Sequence, residues 1–178
     1  MWWFANRSDD ANAAGRFDLE RPNGTCYLAD DPVAALIERF ASPDDLEPLV
    51  TYTDVEATQV YVGTVARPDS VADTTDRAAR IPKELGTATP YTLPWAWADA
   101  LHADGRGGVR AWLRHDPAAT TTIGVFGPAS SPEQPPDPVD WPEPGPPEPA
   151  LRWVAWLAVA VELCDVPAEA DVAIADEP

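Results

Sequence analysis

Between Gly15 and Phe40 the chain reads GRFDLERPNGTCYLADDPVAALIERF, and three of its side chains have chemistry to offer. Arg16 carries a planar guanidinium that stays charged and can grip a phosphate or pyrophosphate through paired hydrogen bonds. Arg21 is near enough in sequence to share that task. Tyr27 offers a flat ring for stacking on a heterocycle, with a hydroxyl free to hydrogen-bond. Glu38 offers a carboxylate that, fixed in a dry cleft, favours developing positive charge over the ground state, or orients an acceptor. Each also has a plainer reading: a surface arginine, a packed strand tyrosine and a solvated helix glutamate.

The elements that must position these groups are written into the same stretch. Gly24 opens an extended run over residues 25–28, whose types favour a strand. Asp31 reads as a helix N-cap with Pro32 at the first helical position. Val33, Leu36, Ile37 and Phe40 then recur at the spacing of one buried helix face, and Glu38 falls off that face beside Ala34. A loop arginine, a strand tyrosine and a helix glutamate are thus expected to converge on one cleft.

Further along, residues 58–66 predict a strand rich in β-branched types, residues 71–74 a short second one, and residues 76–86 a polar helical turn or two. Thr92 is expected to cap a helix that carries Pro94 in its first turn, Trp97 and Leu101 on one face, and Gly105 as its stop. Strands follow at 108–112 and 123–126. Elements of both kinds mix without a βαβ period, which predicts an α+β fold: a compact mixed sheet with flanking helices. Residues 128–149 hold ten of the 21 prolines, five acids and no basic residue, so they are expected to run as an extended strap or linker without regular hydrogen-bonded structure. The apolar run at 151–163 demands burial as a docked helix or strand, and residues 171–175 suggest an edge strand. The expected organisation is a core over 1–127, a proline-rich acidic strap over 128–149 and a docked C-terminal segment over 150–178.

Composition narrows the function classes. The chain has 178 residues and a net charge of −18, which disfavours phosphate-backbone binding and hence a nucleic-acid role. Cys26 and Cys164 are expected to be buried free thiols rather than a disulfide. The first residues lack the pattern of a secretory leader and the longest apolar run is too short to span a bilayer, so no membrane role and a cytoplasmic location are expected. His102 and His115 lack partners at ligand spacing, so no metal site is expected. Neither a Ser-His-Asp order nor a glycine-rich phosphate loop occurs.

The residues Gly15-Arg16-Phe17, Gly24-Thr25-Cys26-Tyr27-Leu28-Ala29 and Ala34-Ala35-Leu36-Ile37-Glu38 resemble, in order and spacing, the RES domain family. The likeness continues more loosely through residues 71–101 and 108–117 to 123–127. The family is named for an arginine, a glutamate and a serine, and its members look like distant relatives of ADP-ribosyltransferase-fold proteins, several of them toxins that destroy NAD under the control of an antitoxin. The resemblance implies that Arg16 holds the pyrophosphate, that Tyr27 stacks on nicotinamide and that Glu38 stabilises the ribosyl cation. NAD is then a substrate, with no further cofactor, and its nicotinamide–ribose bond is cut by water or by inorganic phosphate. The motif serine has no counterpart: its position looks like Leu113, and the nearest hydroxyls are Thr120, Thr121 and Thr122. That departure implies either that a threonine substitutes or that the chain is a weak or inactive module which binds NAD, ADP-ribose or a protein partner.

Overall fold

The computed structural model describes residues 2–9, 14–40, 50–63, 70–76, 78, 81, 85, 90–113, 120–131, 133–138, 140–141, 144–154 and 163–164, with backbone alone for 50–52, 154 and 163–164. In chain order the elements are β1 (Asn23–Ala29), α1 (Pro32–Phe40), β2 (Val50–Thr51), α2 (Tyr52–Ala57), β3 (Gln59–Val60), β4 (Val71–Asp73), α3 (Thr92–Ala103), β5 (Gly108–Trp112), β6 (Thr121–Pro128), β7 (Glu148–Pro149), α4 (Leu151–Val154) and β8 (Leu163–Cys164). A four-stranded sheet runs in the order β1-β6-β5-β4. β6 is antiparallel to both its neighbours and β4 is parallel to β5, so the sheet is mixed. Two small ladders pair β2 with β8 and β3 with β7.

Alternation along the strands gives the sheet two apolar faces. On one face Val109, Ala111 and Phe126 pack with Phe17, Leu19, Leu85 and Ala98, and Trp97 and Leu101 of α3 close over them. On the other, Cys26 and Val125 pack with Trp2 and Phe4, and Leu28, Ile123 and Trp141 lie at the margin. A third cluster holds Leu36, Val55, Val60 and Ala150 together with Val33, Ile37, Phe40 and Trp153, so the expected stripe of α1 is its packing face. Asp31 caps α1 through Oδ1, which accepts from the Ala34 amide at 2.9 Å. At the end of α3, the Arg106 amide donates to the Leu101 carbonyl and the Gly105 amide to the His102 carbonyl, with Gly105 at φ +81°. That is the Schellman closure, which needs the left-handed backbone at Gly105.

Several expectations are corrected. The strand expected at 58–66 is only Gln59–Val60, because β7 offers it two partner residues and Thr58 is spent closing α2: its hydroxyl donates to the Asp54 carbonyl at 2.7 Å. Tyr61 and Val62 are exposed, and 64–66 lie outside the described residues. Thr92 is inside its helix, and Tyr91 is the N-cap without a side-chain capping bond. The first turn is held instead by the Trp95 amide on the Tyr91 carbonyl and by the edge-on packing of those two rings.

The proline-rich segment does form regular pairs. Pro128 ends β6 opposite Asn23, Ser131 bridges Gln134, and Glu148–Pro149 form β7. A proline at a strand end or edge lacks only a donor, and its carbonyl remains available. The segment is also tied to the core, since the Ala129 amide donates to the Pro22 carbonyl and the Gly145 amide to the Val62 carbonyl. Cys26 is a buried free thiol, whereas the thiol of Cys164, the side chain of His115, most of 76–86 and all of 171–175 lie outside the described residues. Among the described residues no helix is long and apolar enough to cross a membrane.

Both helix ends are testable. Asp31→Ala is expected to cost about 1 kcal/mol through the lost cap. Gly105→Ala is expected to cost about 1 kcal/mol through left-handed strain alone, because a Cβ there meets nothing within 4 Å. Urea midpoints of the two variants check both.

Candidate functional site

The turn that carries Arg16 is bound at nearly every backbone group. The Gly15 amide donates to Asp18 Oδ2 at 2.8 Å, and the Asp18 amide returns to the Gly15 carbonyl at 3.3 Å. Trp95 Nε1 of α3 donates to that same Gly15 carbonyl at 2.9 Å. From β1, Thr25 Oγ1 donates to the Phe17 carbonyl at 2.8 Å, and the Phe17 amide donates to the Tyr27 hydroxyl at 2.7 Å. Thr25 and Tyr27 are two apart on one strand, so they reach the same face together. Arg7 Nη1 donates to the Asp18 carbonyl at 2.9 Å, and its guanidinium pairs with Asp99 and lies 5.7 Å from the Trp95 ring. Only glycine fits at position 15, where a Cβ would stand 2.6 Å from the Tyr27 hydroxyl oxygen.

Arg16 is 8% exposed, which replaces the surface reading. Its Nη2 donates to the Trp112 carbonyl at 3.0 Å, and its guanidinium lies 5.0 Å from the Phe17 ring. A buried guanidinium keeps its charge, and these contacts replace part of its hydration. Arg21 does not join it: Arg21 Nε and Nη2 donate to the two carboxylate oxygens of Asp9 on the surface.

The Tyr27 hydroxyl is not free. It accepts from the Phe17 amide and donates to Asp18 Oδ1 at 2.9 Å. Burial of the hydroxyl end and the neighbouring Asp18 charge push its pKa well above 10. The residue as a whole is still 38% exposed, so the oxygen end is sealed while part of the ring stays open. Tyr27 can therefore present a ring to a ligand, and its proton is committed.

Asp18 is the member of this group that sequence reasoning missed. It is 1% exposed, and burial pushes its carboxyl pKa up against the pull of the Gly15 amide, the Tyr27 hydroxyl and Arg7. The signal lay in the spacing Gly15-x-x-Asp18, an acid placed to reach back to the amide three residues earlier.

Glu38 is half-buried on α1, on the side that carries the buried Ala34. Among the described contacts, Arg16 is joined to Tyr27 through the 15–18 turn, and Glu38 has a partner of its own in the fold. A cavity of about 560 Å³ opens beside α1, bounded by Pro32, Ala35 and Arg39 of that helix and by Trp2, Cys26 and Leu28. Tyr27 lies on its border, but Arg16 and Glu38 do not line it. The structure thus unites two of the three expected residues and leaves Glu38 on a neighbouring helix.

Leu113 is 1% exposed, and its amide donates to the Thr120 carbonyl. The nearby threonine hydroxyls hold strands together: Thr122 Oγ1 donates to the Leu28 carbonyl at 2.8 Å, and Thr121 Oγ1 donates to Asp30. Thr120 also has a partner in the fold.

An alkaline absorbance titration checks the sealed phenol. Tyr27 is expected to ionise late, and Tyr27→Phe is expected to remove that late phase. A raised folded pKa leaves the contribution intact below the unfolded value of about 10, and it is lost as pH rises through the folded value. Wild type is therefore expected to lose stability relative to Tyr27→Phe in that alkaline window.

A family model, the RES domain, matches residues 2–151 and so runs through the proline-rich segment to the start of α4. No curated protein and no solved structure matches the chain. With the match covering most of the 178 residues, the chain belongs to the RES domain family.

Proposed function

We propose that this RES domain cleaves the bond between ribose and the nicotinamide nitrogen of NAD, on a fold related to that of the ADP-ribosyltransferases. The RES family is generally linked to NAD-related toxin activity, and the observation that carries the reading is the rigid unit formed by Arg16 and Tyr27. A buried guanidinium fixed on a backbone carbonyl suits a pyrophosphate. An open ring whose hydroxyl is sealed suits a flat heterocycle.

As the glycosidic bond breaks, its electron pair leaves with nicotinamide and positive charge grows on the ribose, as in glycoside cleavage. Glu38 is assigned to that charge. Water then adds to the same carbon with loss of a proton to give ADP-ribose, or inorganic phosphate adds to give the phosphorylated product. NAD is the substrate, no resident cofactor is involved, and an antitoxin is the partner that would hold such an activity in check. The acidic surface suits a cytoplasmic protein that meets a basic partner.

A second reading rests on Leu113. A fully buried leucine at the position that resembles the motif serine supplies no hydroxyl to a ligand, which favours a module that binds NAD, ADP-ribose or a protein without cutting NAD.

Incubation of pure protein with NAD, with and without phosphate, is expected to release nicotinamide. Glu38→Gln is expected to lower the rate by about 10²–10³ while leaving the fold intact. Tight calorimetric binding with NAD recovered whole supports the second reading, and neither binding nor release excludes both the enzyme and an NAD-binding module.

A further inference from the structure

We propose that Asp18 is a positioning residue of the NAD site, fixing the distance between the Arg16 guanidinium and the Tyr27 ring. The inference rests on the NAD-cleaving reading and adds a residue to it. Asp18 places one carboxylate oxygen on each side of the unit: Oδ2 takes the Gly15 amide and Oδ1 takes the Tyr27 proton. With its proton directed there, the Tyr27 oxygen accepts from the Phe17 amide. The amides on either side of Arg16 are therefore bound to Asp18 and Tyr27, which are bound to each other.

A turn alone does not need a buried carboxylate. Asparagine closes the same turn through one oxygen, and burying an acid is costly. Two simultaneous acceptor oxygens are what asparagine lacks, since its NH₂ group cannot accept from the phenol. The carboxylate is thus the group that sets the direction of the Tyr27 hydroxyl and holds the ring in place. Trp95 on the Gly15 carbonyl and Arg7 on the Asp18 carbonyl brace the turn from outside. Among the described residues, Arg7 acts electrostatically on Asp18 and Arg16 on Tyr27, and Arg7 also pairs with Asp99 and Glu20.

A double-mutant cycle of Asp18→Asn and Tyr27→Phe tests the proposal, with NAD as probe. Each single variant is expected to raise KM for NAD roughly tenfold with a smaller change in kcat, and the double variant is expected to match Tyr27→Phe alone, because that change already removes the hydrogen bond to Asp18. In Asp18→Asn the late ionisation of Tyr27 is expected to move to lower pH, a readout that a general loss of stability does not produce. Additive effects, or a Tyr27 ionisation that stays late in Asp18→Asn, overturn the role of Asp18 even when wild type cleaves NAD. Wild type that neither binds nor cleaves NAD overturns the underlying reading. Should Asp18→Asn fail to fold, amide exchange at Gly15 and Phe17 in wild type takes its place: protection near the global limit supports the clamp, and fast exchange overturns it.

Discussion

The molecule's motif region depends on one buried phenol that both donates and accepts. The Tyr27 hydroxyl ties β1 to the 15–18 turn through the Phe17 amide and to Asp18 through its proton. Buried polar groups are tolerable only when satisfied, and a satisfied network in a dry place is stiff. Arg16 inherits that stiffness, because its neighbours in sequence are both held. Its guanidinium then reaches the carbonyl of Trp112 at the end of β5 and brings a second strand to the site.

The sheet supports this arrangement by having two occupied faces. Thr25 and Tyr27 turn towards the arginine turn, while Cys26 turns towards Trp2 and Phe4 and away from it. The second face is closed partly by chain that returns late: Trp141 packs edge-on against Phe4 at 4.6 Å, and Ser130 exchanges hydrogen bonds with Phe4. The proline-rich segment is thus part of how the sheet is buried, in keeping with a family match that extends through it. α1 belongs to neither face. It packs its stripe against Val55, Val60 and Ala150, which fixes Glu38 on a separate element from Arg16.

Local signals in the sequence carried the parts that are local in space. The Asp31 cap, the α1 stripe, the Gly105 stop and the strands at β1, β4, β5 and β6 each depend on a few adjacent residues, and each stands as expected. What could not be seen depended on partners far along the chain. The strand at 58–66 had the right residue types, but its length is set by the two residues of β7. The Tyr27 hydroxyl looked available because nothing near it in sequence reveals the Phe17 amide. Asp18 was not singled out, because its partner Tyr27 lies on a separate element and its burial depends on that packing. The pairing of the proline-rich segment was hidden by a composition that suggests none.

The most direct measurement is a structure of the protein crystallised with NAD or ADP-ribose. The pyrophosphate is expected within hydrogen-bond distance of Arg16, with the bound ligand's ribose next to Glu38 and, for NAD, the nicotinamide ring against Tyr27. A dinucleotide seated instead in the cavity beside Trp2 and Arg39, away from the Arg16 guanidinium, contradicts the assignment of the site.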